Sequence, residues 1–162
     1  KLRLEGAEID FESSFWAPGQ LLNQYAMSEA QDGSFRAATT SRAVSGWWFD
    51  TSNNLYVFDE AGTEVGAVEG LAPGETIKAV RFTGDRCYLV TFVQTDPLFV
   101  ISLEEAVPKV LGELKIPGFS SYLHPVNATH MIGVGRDADP ATGTERGLRE
   151  PPGHASRCAR RG

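Results

Sequence analysis

The sequence has only two cysteines, Cys87 and Cys158. Two cysteines cannot supply the disulfide framework that holds many small secreted domains together. Cys87 falls in a predicted buried strand and Cys158 in a basic C-terminal segment, so we expect no disulfide between them. An isolated buried cysteine behaves as a small apolar residue, and we expect Cys87 to contribute to the core in this way.

Long apolar runs and catalytic signatures are also missing. No run approaches the length of a membrane-spanning helix, so we expect no transmembrane segment. The sequence contains no Gly-x-Ser-x-Gly motif, no phosphate-binding Gly-Lys-Ser and no dinucleotide fingerprint. These absences argue mildly against an enzyme. We expect no catalytic residue in this sequence and no cofactor.

Basic charge is scarce in most of the chain. Up to Glu145 there are 10 Lys and Arg against 20 Asp and Glu, a net charge of −10, whereas residues 146–162 carry 5 Arg against 1 Glu, a net charge of +4. An acidic body does not suit nucleic acid, whose phosphates bind basic surfaces. Residues 149–162 lack any strand pattern, and we expect a disordered or non-native tail. A genuine tail that binds an acidic surface is the alternative.

Short alternating or apolar runs between turn signals fill the body, and four of them lie between Ala72 and Gly118. The second run is nearly all apolar or aromatic, which suits a strand buried on both faces, whereas the charged fourth run suits an outer edge. The stretch predicts a four-stranded antiparallel sheet. Its predicted strands are Ile77 to Thr83, Cys87 to Val93, Leu98 to Leu103 and Lys109 to Leu114.

A Pro-Gly pair precedes a strand, a turn and a second strand three times, at Ala17-Pro18-Gly19, Ala72-Pro73-Gly74 and Ile116-Pro117-Gly118. The pairs lie 55 and then 44 residues apart. This interval fits the roughly 40 to 50 residues of one β-propeller blade. Because a lone four-stranded sheet cannot bury both faces, such sheets must stack against each other. The repeat predicts a β-propeller, with an unrelated β-sandwich as the alternative.

Three motifs in fixed order, VRFTGDRCYLVTF, QTDPLFVISL and VLGELKIPGFSSYLHP, resemble a known family, as do LLNQYAMSE and GVGRDAD on either side. The sequence is similar to secreted bacterial and archaeal proteins whose C-terminal region is a β-propeller distantly related to WD40 repeats. The resemblance covers Leu21 to Leu148. It implies a propeller outside the cell or at its surface, with a secretory signal upstream of Lys1, and it carries over no catalytic residue.

We therefore expect an all-β fold, a propeller fragment of about two and a half blades. Closed propellers have about four to eight blades, so the remaining blades of a full-length protein are expected partners. The expected divisions are an outer strand at 1–14, blades at 15–70 and 71–115, a partial blade at 116–148 and the tail at 149–162. The other expected strands are Leu22 to Ser28, Phe35 to Thr40, Leu55 to Asp59, Thr63 to Val68, Ser121 to Val126 and Met131 to Gly135.

One face of the propeller is the expected ligand site. Strands alternate in direction, so the links between blades and the links from second to third strands emerge on the same face. Aromatic side chains there would stack on a ligand while polar groups fix its orientation. Two structural alternatives remain: the aromatics of an expected long loop at Ser41 to Asn54 could cover the blade edge, and Asp96 could cap its turn. The candidate ligand-binding residues are Trp47, Trp48, Gln94, Asp96, Arg136 and Asp137.

Metal signals are poor. Asp137 and Asp139 hint at a calcium loop, but the residues that follow lack the further oxygen ligands such a loop needs. His124 and His130 lie on neighbouring predicted strands without a third ligand for zinc. We expect no metal site.

Taken together, these features favour an extracellular or cell-surface scaffold that binds a protein, peptide or glycan. The alternative is an extracellular hydrolase or lyase. Propeller enzymes gather their active-site residues from several blades, and those blades would lie outside this chain.

Overall fold

A computed structural model of the chain describes residues 1–45, 48–92, 96–116 and 118–136. Those residues form antiparallel strands and one short 3₁₀ turn, Gln24–Ala26. The strands are β1 (Leu2–Glu5), β2 (Glu8–Phe11), β3 (Gln20–Leu21), β4 (Met27–Glu29), β5 (Phe35–Ser45), β6 (Trp48–Phe58), β7 (Glu64–Leu71), β8 (Thr76–Thr83), β9 (Arg86–Phe92), β10 (Asp96–Ser102), β11 (Lys109–Ile116), β12 (Phe119–Pro125) and β13 (Met131–Arg136).

The first sheet has the order β3-β5-β6-β7, and β4 also pairs with β5. The first strand expected here, Leu22 to Ser28, is instead interrupted by the 3₁₀ turn. The side chain of Asn23 accepts a hydrogen bond from the backbone N–H of Tyr25 at 2.9 Å. Asn at a helix N-cap satisfies an otherwise unpaired donor in this way, so the chain coils before it resumes the strand.

The stretch from Ser41 to Asn54 differs from the long loop expected from the sequence. β5 and β6 pair in continuous register from Phe35 opposite Phe58 to Ser45 opposite Trp48. The hydroxyl and amide side chains of this stretch bond to each other across the hairpin: the Asn54 Nδ2 group donates to Ser41 Oγ at 3.0 Å. Polar side chains that form hydrogen bonds with each other across two strands stabilise the pairing of those strands. This stretch is therefore β-strand, although its composition suggested a loop.

The second sheet has the order β8-β9-β10-β11, so its strands follow each other as antiparallel neighbours. The four strands predicted between Ala72 and Gly118 are all present, with ends shifted by at most two residues. The apolar run in β9 is explained by burial on both faces. Leu89 packs towards the first sheet and its neighbour Val90 packs towards β12, and both are fully buried.

The main core lies between the two sheets. Alternate side chains of the first sheet, Ala38, Leu55 and Val57, meet Val80 and Leu89 of the second. The second sheet buries its other face at Ala79 and Val90, against Leu123 of β12. Stacking of this kind is what the Pro-Gly repeat predicted.

Two further pairs of strands flank these sheets. β1 pairs with β2, and β12 pairs with β13. The single outer strand expected at the N-terminus is therefore a hairpin, because Gly6 turns the chain with a φ of +63° that other residues rarely adopt. The all-β class and the antiparallel sheets expected of a propeller fragment are confirmed. The second sheet has the expected four strands, and the first has five because β3 and β4 both pair with β5.

Candidate functional site

At one edge of the molecule β7 and β9 end while β3, β8 and β10 begin. The β5–β6 hairpin continues beyond this edge, from Thr40 opposite Asn53 to Ser45 opposite Trp48. The backbone N–H of Ile77 in β8 donates to Thr40 Oγ1 of β5 at 3.3 Å, which brings the two sheets together there. We call this the cavity edge, and the opposite edge, which carries the turns at Gly33 and Gly84, the turn edge.

An open cavity of about 560 Å³ lies at the cavity edge, with walls from both sheets. Two of its lining residues, Arg42 and Lys78, are cationic in a chain whose formal net charge is −6. The others supply amide, hydroxyl and apolar groups, so the cavity offers donors for an anion beside a small apolar surface. It is lined by Gly19, Gln20, Leu21, Leu22, Thr40, Arg42, Thr76, Ile77 and Lys78.

A fully buried amide, Asn53, fixes the link that leads into the cavity wall. Its Nδ2 group donates to the backbone carbonyls of Leu71 and Glu75 at 3.0 and 3.1 Å. Its Oδ1 atom accepts from Thr40 Oγ1 at 2.8 Å. Both ends of the link from β7 to β8 are thereby tied to the centre of β6. Since Thr76 follows directly, Asn53 positions one wall of the cavity.

The other wall depends on a glycine. Gly19 has a φ of +98°, and a Cβ atom there would lie 2.7 Å from the carbonyl oxygen of Thr40. Only glycine fits so close to the neighbouring strand. The carbonyl of Pro18 accepts a hydrogen bond from Thr39 Oγ1 at 2.6 Å. The first Pro-Gly pair therefore sets the entry of β3 into the sheet.

Three of the predicted ligand-binding residues have described backbones. Asp96 begins β10 at the cavity edge and Arg136 ends β13, whereas Trp48 begins β6 at the tip of the β5–β6 hairpin, beyond that edge. The remaining three, Trp47, Gln94 and Asp137, lie outside the described residues, as do Asp139, Cys158 and the tail. The assignment of all six to a ligand site stays a prediction. The cavity itself is formed by other residues: the starts of β3 and β8, which follow Pro-Gly pairs, and Thr40 and Arg42 within β5.

Sequence reasoning passed over these cavity residues because it looked for ligands in loops. For the residues at the starts of β3 and β8, the available signal was the position after a Pro-Gly pair, whereas nothing in the sequence marked Thr40 and Arg42 within β5. Gln20 follows Gly19 directly, and Thr76 follows Gly74 by two residues. Asn53 gave no signal, since nothing in its local sequence marks it as buried.

Nucleophilic and metal chemistry find little support among the described residues. Burial raises the pKa of the Cys87 thiol, so the reactive thiolate is disfavoured. His124 Nδ1 lies 3.4 Å from the Tyr122 hydroxyl, and His130 Nδ1 lies 2.8 Å from Thr129 Oγ1. Across residues 1–136, apart from the gaps given above, no three His, Cys, Asp or Glu side chains are grouped so that they could hold a metal ion. No helix in the same residues is long and apolar enough to span a membrane.

Comparison with known sequences gives a consistent result. Residues 1–150 match the family described as Beta propeller domain. The chain is 46% identical over 142 residues to an uncharacterised protein of Methanocaldococcus jannaschii, and the match covers 86% of this chain and 22% of the relative. It is 45% identical over 131 residues to an uncharacterised protein of Archaeoglobus fulgidus, and that match covers 80% of this chain and 20% of the relative. The chain thus spans about a fifth of the length of these archaeal relatives.

Proposed function

The chain belongs to the beta propeller domain family, and on that premise we propose that it is a ligand-binding scaffold at the cell surface or outside the cell. The finer family assignment, to secreted prokaryotic propellers distantly related to WD40 repeats, is part of the proposal. It is supported by the ordered motifs between Val80 and Pro125.

The observation that carries the binding role is the cavity at the cavity edge. It is built by the ends of two blades, and it gathers Arg42 and Lys78 in an otherwise acidic chain. Cationic side chains beside hydrogen-bond donors suit a carboxylate-bearing ligand. Asp96 begins β10 at the same edge, and Trp48 begins β6 at the tip of the hairpin beyond it. We include both in the proposed contact, where an aromatic ring would stack on the ligand and a carboxylate would accept hydrogen bonds from it. We propose that the ligand is an acidic peptide or an acidic glycan.

Binding can be tested with two probe sets: an array of acidic and neutral oligosaccharides and a library of acidic and neutral peptides. We expect capture of acidic probes, and we expect the double variant Arg42→Gln/Lys78→Gln to weaken it by more than about tenfold, since each charge-assisted hydrogen bond contributes about 1.5 to 3 kcal/mol. The matched control is Lys109→Gln/Lys115→Gln, which removes two charges from the exposed outer strand β11. Equal losses in both variants would indicate general charge attraction and contradict a site.

The predicted aromatic contact is tested separately. Trp48→Ala and Arg136→Ala should each cost more than about 1 kcal/mol of affinity, because Trp and Arg are common among the few residues that dominate binding. The melting temperature must be measured with the affinity, so that a folding defect is not mistaken for a lost contact. Binding that is unchanged in both variants would remove these residues from the site.

The proposed location has its own test. Fractionation of the source cells should place the protein in the surface or medium fraction. Recovery with the cytoplasmic fraction would contradict this part of the proposal and leave the binding role intact. Turnover of a captured probe would favour the extracellular hydrolase or lyase.

A further inference from the structure

The turn between β12 and β13 carries an asparagine that is followed two positions later by a hydroxyl residue. Asn127, Ala128 and Thr129 form an Asn-x-Thr pattern whose middle residue is not proline. This pattern is the acceptor for N-linked glycosylation in secreted proteins. The sequence has three other asparagines, and none has Ser or Thr at that position: Asn23, Asn53 and Asn54. Because a three-residue pattern often arises by chance, the surroundings of Asn127 decide whether it can accept a sugar.

The turn is open to solvent. Residues from Asn127 to His130 are all exposed, and Val126 before them is exposed as well. The backbone N–H groups of Val126 and Asn127 donate to the His130 carbonyl at 2.9 and 3.3 Å, and these bonds close the turn between the two strands. Exposed turn tips with small or polar residues are the places where modifying enzymes reach a folded chain. Asn127 satisfies this condition.

The orientation of the Asn127 amide is fixed by its neighbours. Its Oδ1 atom accepts from the backbone N–H of Thr129 at 2.9 Å and from the Thr129 hydroxyl at 3.1 Å. A backbone N–H can only donate, so the amide oxygen must be the atom that faces Thr129. His130 Nδ1 lies 3.1 Å from the same oxygen. The Nδ2 group forms no hydrogen bond with any residue that the structure describes, so the nitrogen that would carry a sugar is free at the surface.

Asn23 has a similar local geometry without the hydroxyl residue. Its Oδ1 atom also accepts from the backbone N–H two residues later, that of Tyr25, at 2.9 Å, and Asn23 is exposed. Exposure and the local hydrogen bond are therefore common to Asn23 and Asn127. The two sites differ in the residue that the acceptor pattern requires, so Asn23 serves as an internal control.

The position of the turn in the repeat separates it from the proposed ligand cavity. The turns between the first and second strands after the two earlier Pro-Gly pairs contain Gly33 and Gly84, both at the turn edge. Asn127 occupies the corresponding turn after Ile116-Pro117-Gly118, which assigns it to the same edge. Repeated units of this kind stack face to face, so a further blade would cover a face of β12 and β13 and not the turn beyond their ends. A glycan on Asn127 would therefore leave the cavity open.

We propose that Asn127 is an N-glycosylation site. The inference rests on the proposed location outside the cell, because the chain must be exported to meet the sugar donor. The donor class is an oligosaccharide joined through phosphate to a lipid. A bond forms between Asn127 Nδ2 and the C1 carbon of the first sugar while the bond from that carbon to the phosphate oxygen breaks. The lipid phosphate leaves with the electron pair, the amide nitrogen loses a proton, and no oxidant or reductant takes part.

The test uses protein recovered from the surface or medium fraction of the source cells. Trypsin cleaves after Lys and Arg, so residues 116–136 form one peptide, in which Asn127 is the single asparagine. We expect mass spectrometry to find this peptide heavier by the mass of a chain of sugars, and fragmentation should place that chain on Asn127. The peptide of residues 4–36, which contains Asn23, should carry no sugar on that asparagine.

Three variants separate the acceptor pattern from the turn itself. Asn127→Gln and Thr129→Ala should each remove the sugar completely, whereas Thr129→Ser keeps the hydroxyl and should retain it. Thr129→Ala keeps Asn127 and the backbone N–H that orients its amide, so loss of the sugar would follow from the missing hydroxyl. Because Asn127 and Thr129 are exposed, the fold should persist in all three variants, which circular dichroism would check.

The possible failures of this inference differ from those of the proposed function. An unmodified peptide in protein from the surface fraction would overturn the site and leave the proposed location intact. A sugar that persists in Thr129→Ala, or one that is also present on Asn23, would overturn the acceptor pattern as its cause. Recovery with the cytoplasmic fraction would overturn both the location and the glycan. Capture of acidic probes by the full chain remains a separate measurement, which tests the binding role alone.

Discussion

The two sheets bury different kinds of residue, although they have similar strands. The first sheet buries Arg36, Thr39, Thr51, Asn53 and Asn54. The side chains of four of them, all but Thr51, bond to links and neighbouring strands. The second sheet is buried mainly through apolar side chains such as Ile77, Leu89 and Ile101. Both sheets contribute apolar side chains to the main core, and the first sheet adds a set of buried hydrogen bonds to it. These directed bonds fix the geometry of the first sheet, including its part of the cavity edge, whereas the second sheet depends mainly on packing.

Removing a core side chain from the second sheet should have the largest effect. Leu89 is fully buried between the sheets, so Leu89→Ala leaves a cavity and should cost about 3 to 5 kcal/mol of unfolding free energy. Urea unfolding would measure the loss. Leu111→Ala is the matched control, because Leu111 is 55% exposed and should change stability by less than about 0.5 kcal/mol. Equal losses would contradict a core centred on Leu89.

Removing the directed contact of the first sheet should come next. Asn53→Ala removes the amide that donates to the carbonyls of Leu71 and Glu75 and the oxygen that accepts from the Thr40 hydroxyl, at an expected cost of about 2 to 4 kcal/mol. Unlike the Leu89 variant, it should also perturb the amide resonances of Thr76 and Lys78, which NMR would detect. Asn127→Ala, in an exposed turn, is the control. Stability lost without a change at Thr76 would show that Asn53 does not position the cavity wall.

Leu89 and Asn53 show which features of the structure could be predicted from the sequence and which could not. Leu89 sits in an apolar run with turns at both ends, and such runs predicted the strands and the inner position of β9. Asn53 forms its bonds with residues 13 to 22 positions away. No local pattern encodes contacts at that distance, so neither the hydrogen-bonded link nor the contribution of Thr40 and Arg42 to the cavity could be predicted. The same limit explains the error at Ser41 to Asn54, where cross-strand partners turned a polar stretch into strand.

The contact between the sheets at the turn edge gives a smaller expected effect. Arg36 is 7% exposed, and its Nη1 group donates to the carbonyl of Gly84 at 2.8 Å. Arg36→Met keeps most of the packing and should cost about 1.5 to 2 kcal/mol, because a hydrogen bond from a charged group is lost. Urea unfolding would measure this.

The neighbouring ion pair provides the comparison. Arg36 Nη2 lies 3.7 Å from an Asp85 carboxylate that is 66% exposed, and such pairs contribute little. We expect Asp85→Asn to change stability by less than about 0.5 kcal/mol. If Asp85→Asn cost as much as Arg36→Met, the ion pair and not the hydrogen bond would join the sheets.

The smallest expected effect concerns the other turn at the turn edge, between β4 and β5. Asp32 Oδ1 accepts hydrogen bonds from the Ser34 hydroxyl at 2.6 Å and from the Ser34 N–H at 3.0 Å. These bonds favour the charged form, and the pKa of Asp32 is lowered from 3.8, with the hydroxyl as the larger cause. Because the folded pKa lies below the unfolded one, this contribution to stability is present above about pH 4 and is lost as the pH falls through the folded pKa. Ser34→Ala should therefore raise the Asp32 pKa towards 3.8 in an NMR titration, while the melting temperature at neutral pH changes little. If the pKa of Asp32 did not change in this variant, the Ser34 hydroxyl would not stabilise the turn. Directed side-chain hydrogen bonds would then be important at the cavity edge of the first sheet but not at this turn.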